Sequence, residues 1–406
     1  MILLFPLITY ASDNTAFMVG NKSYDSLEDA INNVNPDDTI TMYSDAKLND
    51  PIEIDKKVNI NLNNNEISAP TTAFLVQGGT LNITGKGVIK ELEPNYGAIR
   101  VIGNQKDVDY YHSVVNIDKD VTLQGWSGIF VTHTNNESHG VSVNFAGTIN
   151  AVSDISGDTG IGIYVNGNIK HEDSHPVIEI TDNAKITSNG TGLYIAGYST
   201  FNIKKAYIEG IESGIGIKSG KLNIDGATIV CNGQDTTPTE GYNNGVKSSG
   251  TAIQIESNNG YAGNMEINIY NGEITSKNSS VIYEYIGKGD TTKVKSISIS
   301  GGNFKSLANK DVFLLSNNFK STHPSFISGG NYSSNPSDYL KSGYSAKLEN
   351  DMYSVSKSAM AVFSEKVDNS SSFSNIILLI TLVVIGIILY LNRISIIKFF
   401  NNKFSR

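Results

Sequence analysis

Val177-Ile-Glu-Ile180, Ala184-Lys-Ile186 and Gly192-Leu-Tyr-Ile195 form one unit of sequence, and the three-part pattern returns at once. The next unit reads Phe201-Asn-Ile203, Ala206-Tyr-Ile208 and Gly214-Ile-Gly-Ile217. The third reads Leu222-Asn-Ile224, Ala227-Thr-Ile229 and, after a polar insertion, Gly250-Thr-Ala-Ile253. Taking Ile180, Ile203 and Ile224 as equivalent, the spacings are 23 and 21 residues. In each triplet the apolar residues lie two apart and so face one side of a strand. Three short strands in about 22 residues is the geometry of one coil of a parallel β-helix, whose coils bury their apolar face only by stacking.

Outward from this stretch the triplets continue as Leu81-Asn-Ile83, Val115-Asn-Ile117, Val143-Asn-Phe145, Ile267-Asn-Ile269 and Ile297-Ser-Ile299. Their wider spacing is what loops inserted between strands would produce. A leucine-rich repeat needs a fixed Leu and Asn framework that is missing here. A sandwich of hairpins fits the irregular spacing but does not explain three strands per unit. The 406 residues are 39% hydrophobic and 17% charged, too apolar for a disordered chain. The 38 Gly fall between the apolar runs, where turns with positive φ are expected.

The stack needs its open ends covered. Ser26 to Val34 reads SLEDAINNV, with Leu27, Ala30, Ile31 and Val34 on one helical face and a capping pattern at Ser26 and Asp29. At the far end, Ala346 to Val355 reads as a hairpin around Asn350-Asp351. Phe373 to Leu391 is free of charge and about as long as the roughly 20 residues a membrane-spanning helix needs. No acidic residue follows Asp368, and Arg393, Lys398, Lys403 and Arg406 make the tail basic, which predicts a cytoplasmic C-terminus. Removing those four cations from the net charge of −9 leaves −13, an acidic balance that argues against nucleic acid as a partner. The last proline is Pro336, so no Leu-Pro-x-Thr-Gly wall-sorting signal precedes the apolar run, and retention in the membrane is expected. MILLFPLITYA at the start resembles the apolar part of a signal peptide without its basic leader; a buried first strand is the alternative.

The expected organisation is therefore a signal segment at 1–11, an N-terminal cap at 12–50 with a helix at 26–34, and a β-helix at 51–335. A cap hairpin at 336–355, a Ser-rich stalk at 356–372, a transmembrane helix at 373–391 and a basic tail at 392–406 follow. Tyr24 to Ser68, YDSLEDAINNVNPDDTITMYSDAKLNDPIEIDKKVNINLNNNEIS, resembles the opening of pectate-lyase-like β-helix domains in surface proteins of Gram-positive bacteria. Ile327 to Val355, ISGGNYSSNPSDYLKSGYSAKLENDMYSV, resembles the ending common in the same proteins, so the resemblance covers most of Phe17 to Val355. It implies an all-β fold, a single-stranded right-handed parallel β-helix with an N-terminal capping helix. It also implies an adhesive or structural role, and its motifs specify architecture better than activity.

The same architecture hosts polysaccharide lyases and hydrolases, so chemistry is judged on residues. Polygalacturonase-like hydrolases carry Asn-x-Asp, Asp-Asp, Gly-His-Gly and Arg-x-Lys on consecutive coils. Asn116-Ile-Asp118 and Asn223-Ile-Asp225 occur here, but at positions where Asp serves a turn. Asp37-Asp38 precedes the stack, Ser138-His139-Gly140 departs from the pattern, and Arg100 is the only arginine before the apolar span. His171-Glu-Asp-Ser-His175, His133 and His139 read as solvated loops, and His112 could face sugar or solvent. Cys231, the only cysteine, reads as a buried small hydrophobe. Twenty tyrosines and Trp126 leave some aromatic surface, with Tyr194, Tyr198, Tyr283 and Tyr285 as candidates, but for any one of them filling of the stack's outer wall is the favoured reading.

No catalytic, metal or cofactor site is assigned. The expected function is a single-pass, membrane-anchored surface module, non-catalytic, that binds a host or bacterial glycan or a protein. Loops Gly103 to His112 and Gln234 to Ser249 are the expected contacts. A carbohydrate-active enzyme with an unfamiliar carboxylate site is the alternative, and a trimeric phage-type spike is a third reading.

Overall fold

A computed structural model describes residues 16–93, 96–104, 112–134, 139–153, 159–166, 176–181, 183–236, 249–287, 291–362, 383 and 390. Outside them lie the signal-like segment 1–11, most of the stalk, the span 373–391 apart from two residues, and the tail 392–406. His171, His175 and most of the two expected contact loops lie outside them as well. Among the described residues no helix is long and apolar enough to cross a membrane. The chain divides into two units, Met1–Lys341 with Ala346–Val355, and Ser342–Ser345 with Ser356–Arg406. In the second, the Ser358 amide donates to the Gly343 carbonyl at 2.8 Å.

In the first unit the alternation of the triplets becomes alternating burial. Val115 and Ile117 of strand Ser113–Ile117 are buried, while Val114 and Asn116 between them are partly exposed. Each strand pairs in parallel with the equivalent strand one coil on. Val177–Ile180 pairs with Thr200–Lys204, Lys185–Ser188 with Tyr207–Gly210, and Thr191–Ile195 with Ser213–Ile217. The register sets Ile180 against Ile203 and Ile203 against Ile224, the equivalence read from the repeat. Repeated along the chain, these pairings make a β-helix-like stack with three faces. One face is a separate 10-stranded sheet from Ile52–Ile54 to Phe313–Leu314. Antiparallel ladders among the described residues are confined to the two ends, which excludes a sandwich of hairpins.

The lumen is filled by like side chains stacked on like. On the 10-stranded face Ile99, Ile129, Ile163, Leu193, Ile215, Ile253 and Ile282 stand in register, each at most 1% exposed. Burying each such side chain stabilises the fold by roughly 1.5–3 kcal/mol. The second face ends in small residues, Ala151, Ser188, Gly210, Cys231 and Ser276, matched coil to coil. Cys231 is thus one member of a column that admits nothing large. Gly162 and Gly192 serve the same economy of space at a corner between faces. A Cβ on Gly162 would stand 2.3 Å from both the Gly192 oxygen and Ile186 Cγ2. These glycines allow close approach and not a positive φ, whereas Gly220 and Gly226 do take φ of 89° and 79°.

The caps differ from expectation in two respects. The helix spans Leu27–Asn33 with Ser26 as N-cap, accepting from the Asp29 amide at 3.0 Å, and buries Leu27, Ala30 and Ile31. The stack, however, begins ahead of residue 51, because strand Thr39–Met42 already pairs in parallel with Lys57–Asn61. At the other end a second helix, Asn317–Thr322, was not legible, being too short for a helical period to repeat. Its Phe319 is fully buried among Phe326, Phe313 and Tyr339, whose rings close the lumen. Its N-cap, Ser316, accepts from the Phe319 amide at 3.0 Å and donates to Glu284 at 2.5 Å. Glu284 stands opposite Ile255 on the lumen side and also accepts from Ser257 at 2.9 Å, so the last apolar column ends in a hydrogen-bonded carboxylate. Asn350 and Asp351, at φ of 49° and 63°, make the two-residue turn between strands Tyr344–Glu349 and Met352–Lys357.

Replacing Phe319 with Ala should cost about 3–5 kcal/mol and lower the urea midpoint, since it opens a cavity at the lumen's end. Burial pushes the Cys231 thiol from an ordinary 9.0 up to about 12. A raised value favours the folded, protonated form, so its contribution is intact below pH 9 and is lost as pH climbs toward 12. Thermal midpoints measured across that window should therefore fall less steeply in Cys231→Ala than in the native chain.

Candidate functional site

The centre residue of each first-face triplet points outward, and the register that aligns the isoleucines also aligns these polar side chains. Asn82 donates through Nδ2 to Asn59 Oδ1 at 2.7 Å, Asn116 to Asn82 at 2.6 Å, and Asn144 to Asn116 at 2.7 Å. Asn59 in turn donates to the carbonyls of Asp38 and Pro36, tying the row to the segment after the capping helix. A second run begins at Glu179. Asn202 donates to Glu179 Oε1 at 2.6 Å, Asn223 to Asn202 at 2.8 Å, and Asn268 to Asn223 at 2.9 Å. Each bond is worth about 1 kcal/mol net, and the amides that bridge two neighbours, Asn82, Asn116, Asn202 and Asn223, each keep a second N–H and a second lone pair for an outside partner.

The row has a direction: every amide donates toward the N-terminal coil. Glu179 stands in register with Asn144. An ionised carboxylate only accepts, so Glu179 cannot pass a proton donor on to Asn144 Oδ1. Two acceptors therefore meet at this seam, which suits a ligand that brings hydroxyl groups.

Two grooves lie over the row, one on each side of the seam. One, of about 370 Å³, is lined by Asn82, Asn116, Asn144, Asp118 and Thr181. The other, of about 360 Å³, is lined by Glu179, Asn202, Asn223, Lys204, Asp225 and Tyr270. Both volumes fall within the range of small-ligand sites. Tyr270 is 53% exposed and presents an aromatic face at the groove. Asp118 and Asp225 stand two residues after the ladder amides Asn116 and Asn223, so the two Asn-x-Asp motifs place one residue in the row and one at the groove edge.

The middle of the outer wall of the 10-stranded face is buried. Phe130, Tyr164 and Tyr194 stand in register on consecutive coils and are nearly fully buried. Tyr164 and Tyr194 stack at 4.9 Å, Phe130 meets Tyr164 at 4.8 Å, and Trp126 packs 5.6 Å from Tyr164. Burial drives both tyrosine hydroxyls well above their ordinary range. Trp126, Tyr194 and Tyr198 thus fill the outer wall, the favoured reading for any single aromatic, while Tyr283 and Tyr285 stay partly exposed. Arg100 lies over the rings of Tyr96 and Phe130 at 5.6 and 5.8 Å, a structural cation–π contact.

The remaining sequence candidates separate in the same way. His139 is fully buried, not solvated, and its backbone exchanges two hydrogen bonds with Asn104. His133 is partly buried, and burial together with nearby Arg100 lowers its pKa. His112 is exposed. Asp37 pairs with Lys57 at 3.1 Å and Asp38 accepts from Asn35 at 2.8 Å, so this pair braces the cap. Among the described residues no group of three His, Cys, Asp or Glu could hold a metal ion. The amide row itself was missed as a site, although Asn stands at the centre of one triplet after another. No family model, curated protein or solved structure matches the chain.

Glu179→Gln should join the two runs, because a glutamine amide both accepts from Asn202 and donates to Asn144. Stability should rise by about 1 kcal/mol, read from chemical denaturation; a fall would show that the seam is not a gap in the ladder.

Proposed function

We propose that the chain is a membrane-anchored surface module whose first face binds an extended, hydroxyl-rich glycan along the amide row, without turning it over. The carrying observation is the pair of grooves of about 370 and 360 Å³, each over one run of hydrogen-bonded amides. Each coil repeats the same donor and acceptor, which fits a polymer of repeated sugar units better than a compact ligand. The exposed Tyr270 ring offers a stacking face, and the seam at Asn144 and Glu179 offers two acceptors to ligand hydroxyls. The resemblance of the two ends to Gram-positive surface β-helices supports a right-handed stack displayed outside the cell. The uncharged run Phe373 to Leu391 with its basic sequel supports one membrane span with the C-terminus inside.

A second reading, a polysaccharide hydrolase or lyase, draws on one observation: Glu179 and Asp225 line the same groove. A glycan array probed with the full chain in detergent separates the two. Binding to a neutral or uronate polymer, weakened roughly tenfold by Tyr270→Ala, a loss of about 1.4 kcal/mol, is the expected result. Polymer cleavage that disappears in Glu179→Gln or Asp225→Asn would replace the binding module with an enzyme, and an array without any bound glycan would remove both.

A further inference from the structure

Away from the groove, on the outer wall of the 10-stranded face, an amine, a carboxylate and an amide meet. Ile217 stands in register with Ile255, so the next residue of one coil, Lys218, falls opposite Glu256 of the following coil. Lys218 Nζ lies 2.5 Å from Glu256 Oε2, with side-chain exposures of 3% and 2%. The other carboxylate oxygen, Oε1, accepts from Asn258 Nδ2 at 3.1 Å. Asn258 Oδ1 accepts in turn from the Gly260 amide at 2.8 Å, which polarises the side-chain carbonyl. The rings of Tyr194 and Tyr261 flank the Lys218 nitrogen at 4.9 and 4.8 Å, and the Tyr261 hydroxyl is 3.3 Å from it.

These parts carry specific chemistry. An amine is a nucleophile, a hydrogen-bonded amide carbonyl is an electrophile, and a carboxylate touching both nitrogens is a proton shuttle. The cavity beside Lys218 and Glu256 is about 10 Å³, room for about one water molecule and for no substrate. A cavity of that size admits no outside substrate beside Lys218, and the Asn258 amide, hydrogen-bonded to the same carboxylate, is the electrophile at hand.

We propose that Lys218 and Asn258 condense into an intramolecular isopeptide bond, with Glu256 moving the proton. Lys218 first gives a proton to Glu256 along their 2.5 Å contact. The free amine then attacks Asn258 Cγ, the Nζ–Cγ bond forms, and the Cγ–Nδ2 bond breaks. Nδ2 leaves as ammonia, taking the second amine proton by way of Glu256, and the carboxylate is regenerated as ammonium departs. No oxidant, reductant or cofactor is consumed. The product is a covalent clasp between adjacent coils that encloses the insertion Gln234 to Ser249, and it cannot be undone by reducing agents.

The test is mass spectrometry of the full native chain, followed by peptide mapping with trypsin. The expected intact mass is lower than the sequence mass by one ammonia, cleavage after Lys218 is absent, and a branched peptide joins Lys218 to Asn258. Lys218→Arg and the near-isosteric Glu256→Gln should restore the full mass while retaining the native circular dichroism spectrum. Full mass with a linear peptide ending at Lys218 in the folded native chain overturns the proposal. So does a branch through Lys293, whose Nζ donates to the Asn258 backbone carbonyl at 3.2 Å, or one that ends on Gln254. Simple deamidation at Asn258 or Asn259 adds mass where the bond removes it, and counts against the proposal as well.

Discussion

Parallel, in-register stacking is the constraint on which everything else in this molecule depends. A coil cannot bury its own apolar face; it does so only when each residue lies over its counterpart in the next coil. Because side chains alternate along a strand, a slip by one residue would turn every buried isoleucine outward. Inside, the constraint yields columns such as Ile99 to Ile282. Outside, the same register sets amide over amide from Asn59 to Asn144 and from Asn202 to Asn268. The apolar lumen and the polar row are two sides of one strand.

The three faces then diverge in what they do with their outer walls. The first leaves its row open beneath two grooves. The 10-stranded face buries the middle of its wall, where Phe130, Tyr164 and Tyr194 form a second core outside the lumen. Burial there explains how a lysine and a glutamate can be held together almost out of water: Tyr194 and Tyr261 supply cation–π contacts and Asn258 a hydrogen bond to the carboxylate. An ion pair removed from water in this way stabilises little by itself, because the desolvation of both partners offsets their attraction. Its presence calls for a role beyond packing.

Much of the architecture was legible because the fold is local in period although its contacts are distant in sequence. The equivalence of Ile180, Ile203 and Ile224 is a statement about spacing, and the coil register repeats it. The first helix was legible through Ser26 and four apolar positions. Asn317–Thr322 was not, because six residues give no second turn of periodicity, and its signal is a single cap at Ser316 and one aromatic residue. Trp126 and Tyr194 stayed open between wall filling and surface for a different reason. Alternation tells which residues leave the lumen but not whether something covers the outer wall, since a covering residue such as Tyr261 is distant in sequence. His139 was misread on the same grounds. The amide row was visible as a recurrent Asn between apolar residues, and its meaning needed the register, which makes a repeated letter into two runs of hydrogen bonds.

The row also sets a limit on what can bind it. A side chain that spends one N–H and one lone pair on its neighbours has a fixed orientation, so the remaining N–H and lone pair recur in one orientation wherever an asparagine bridges two neighbours. That preorganisation lowers the entropic cost of recognition, but it repeats at the spacing of parallel strands, about 4.8 Å. A ligand can use several rungs only if its own polar groups recur at nearly that interval or if it is flexible enough to adjust. The seam between Asn144 and Glu179 relieves this demand, because it breaks the row into two runs that need not be matched by one rigid segment. For the proposed glycan, selectivity would reside less in any single asparagine than in how the polymer's repeat accumulates mismatch along a run, and in where it is re-set at the carboxylate.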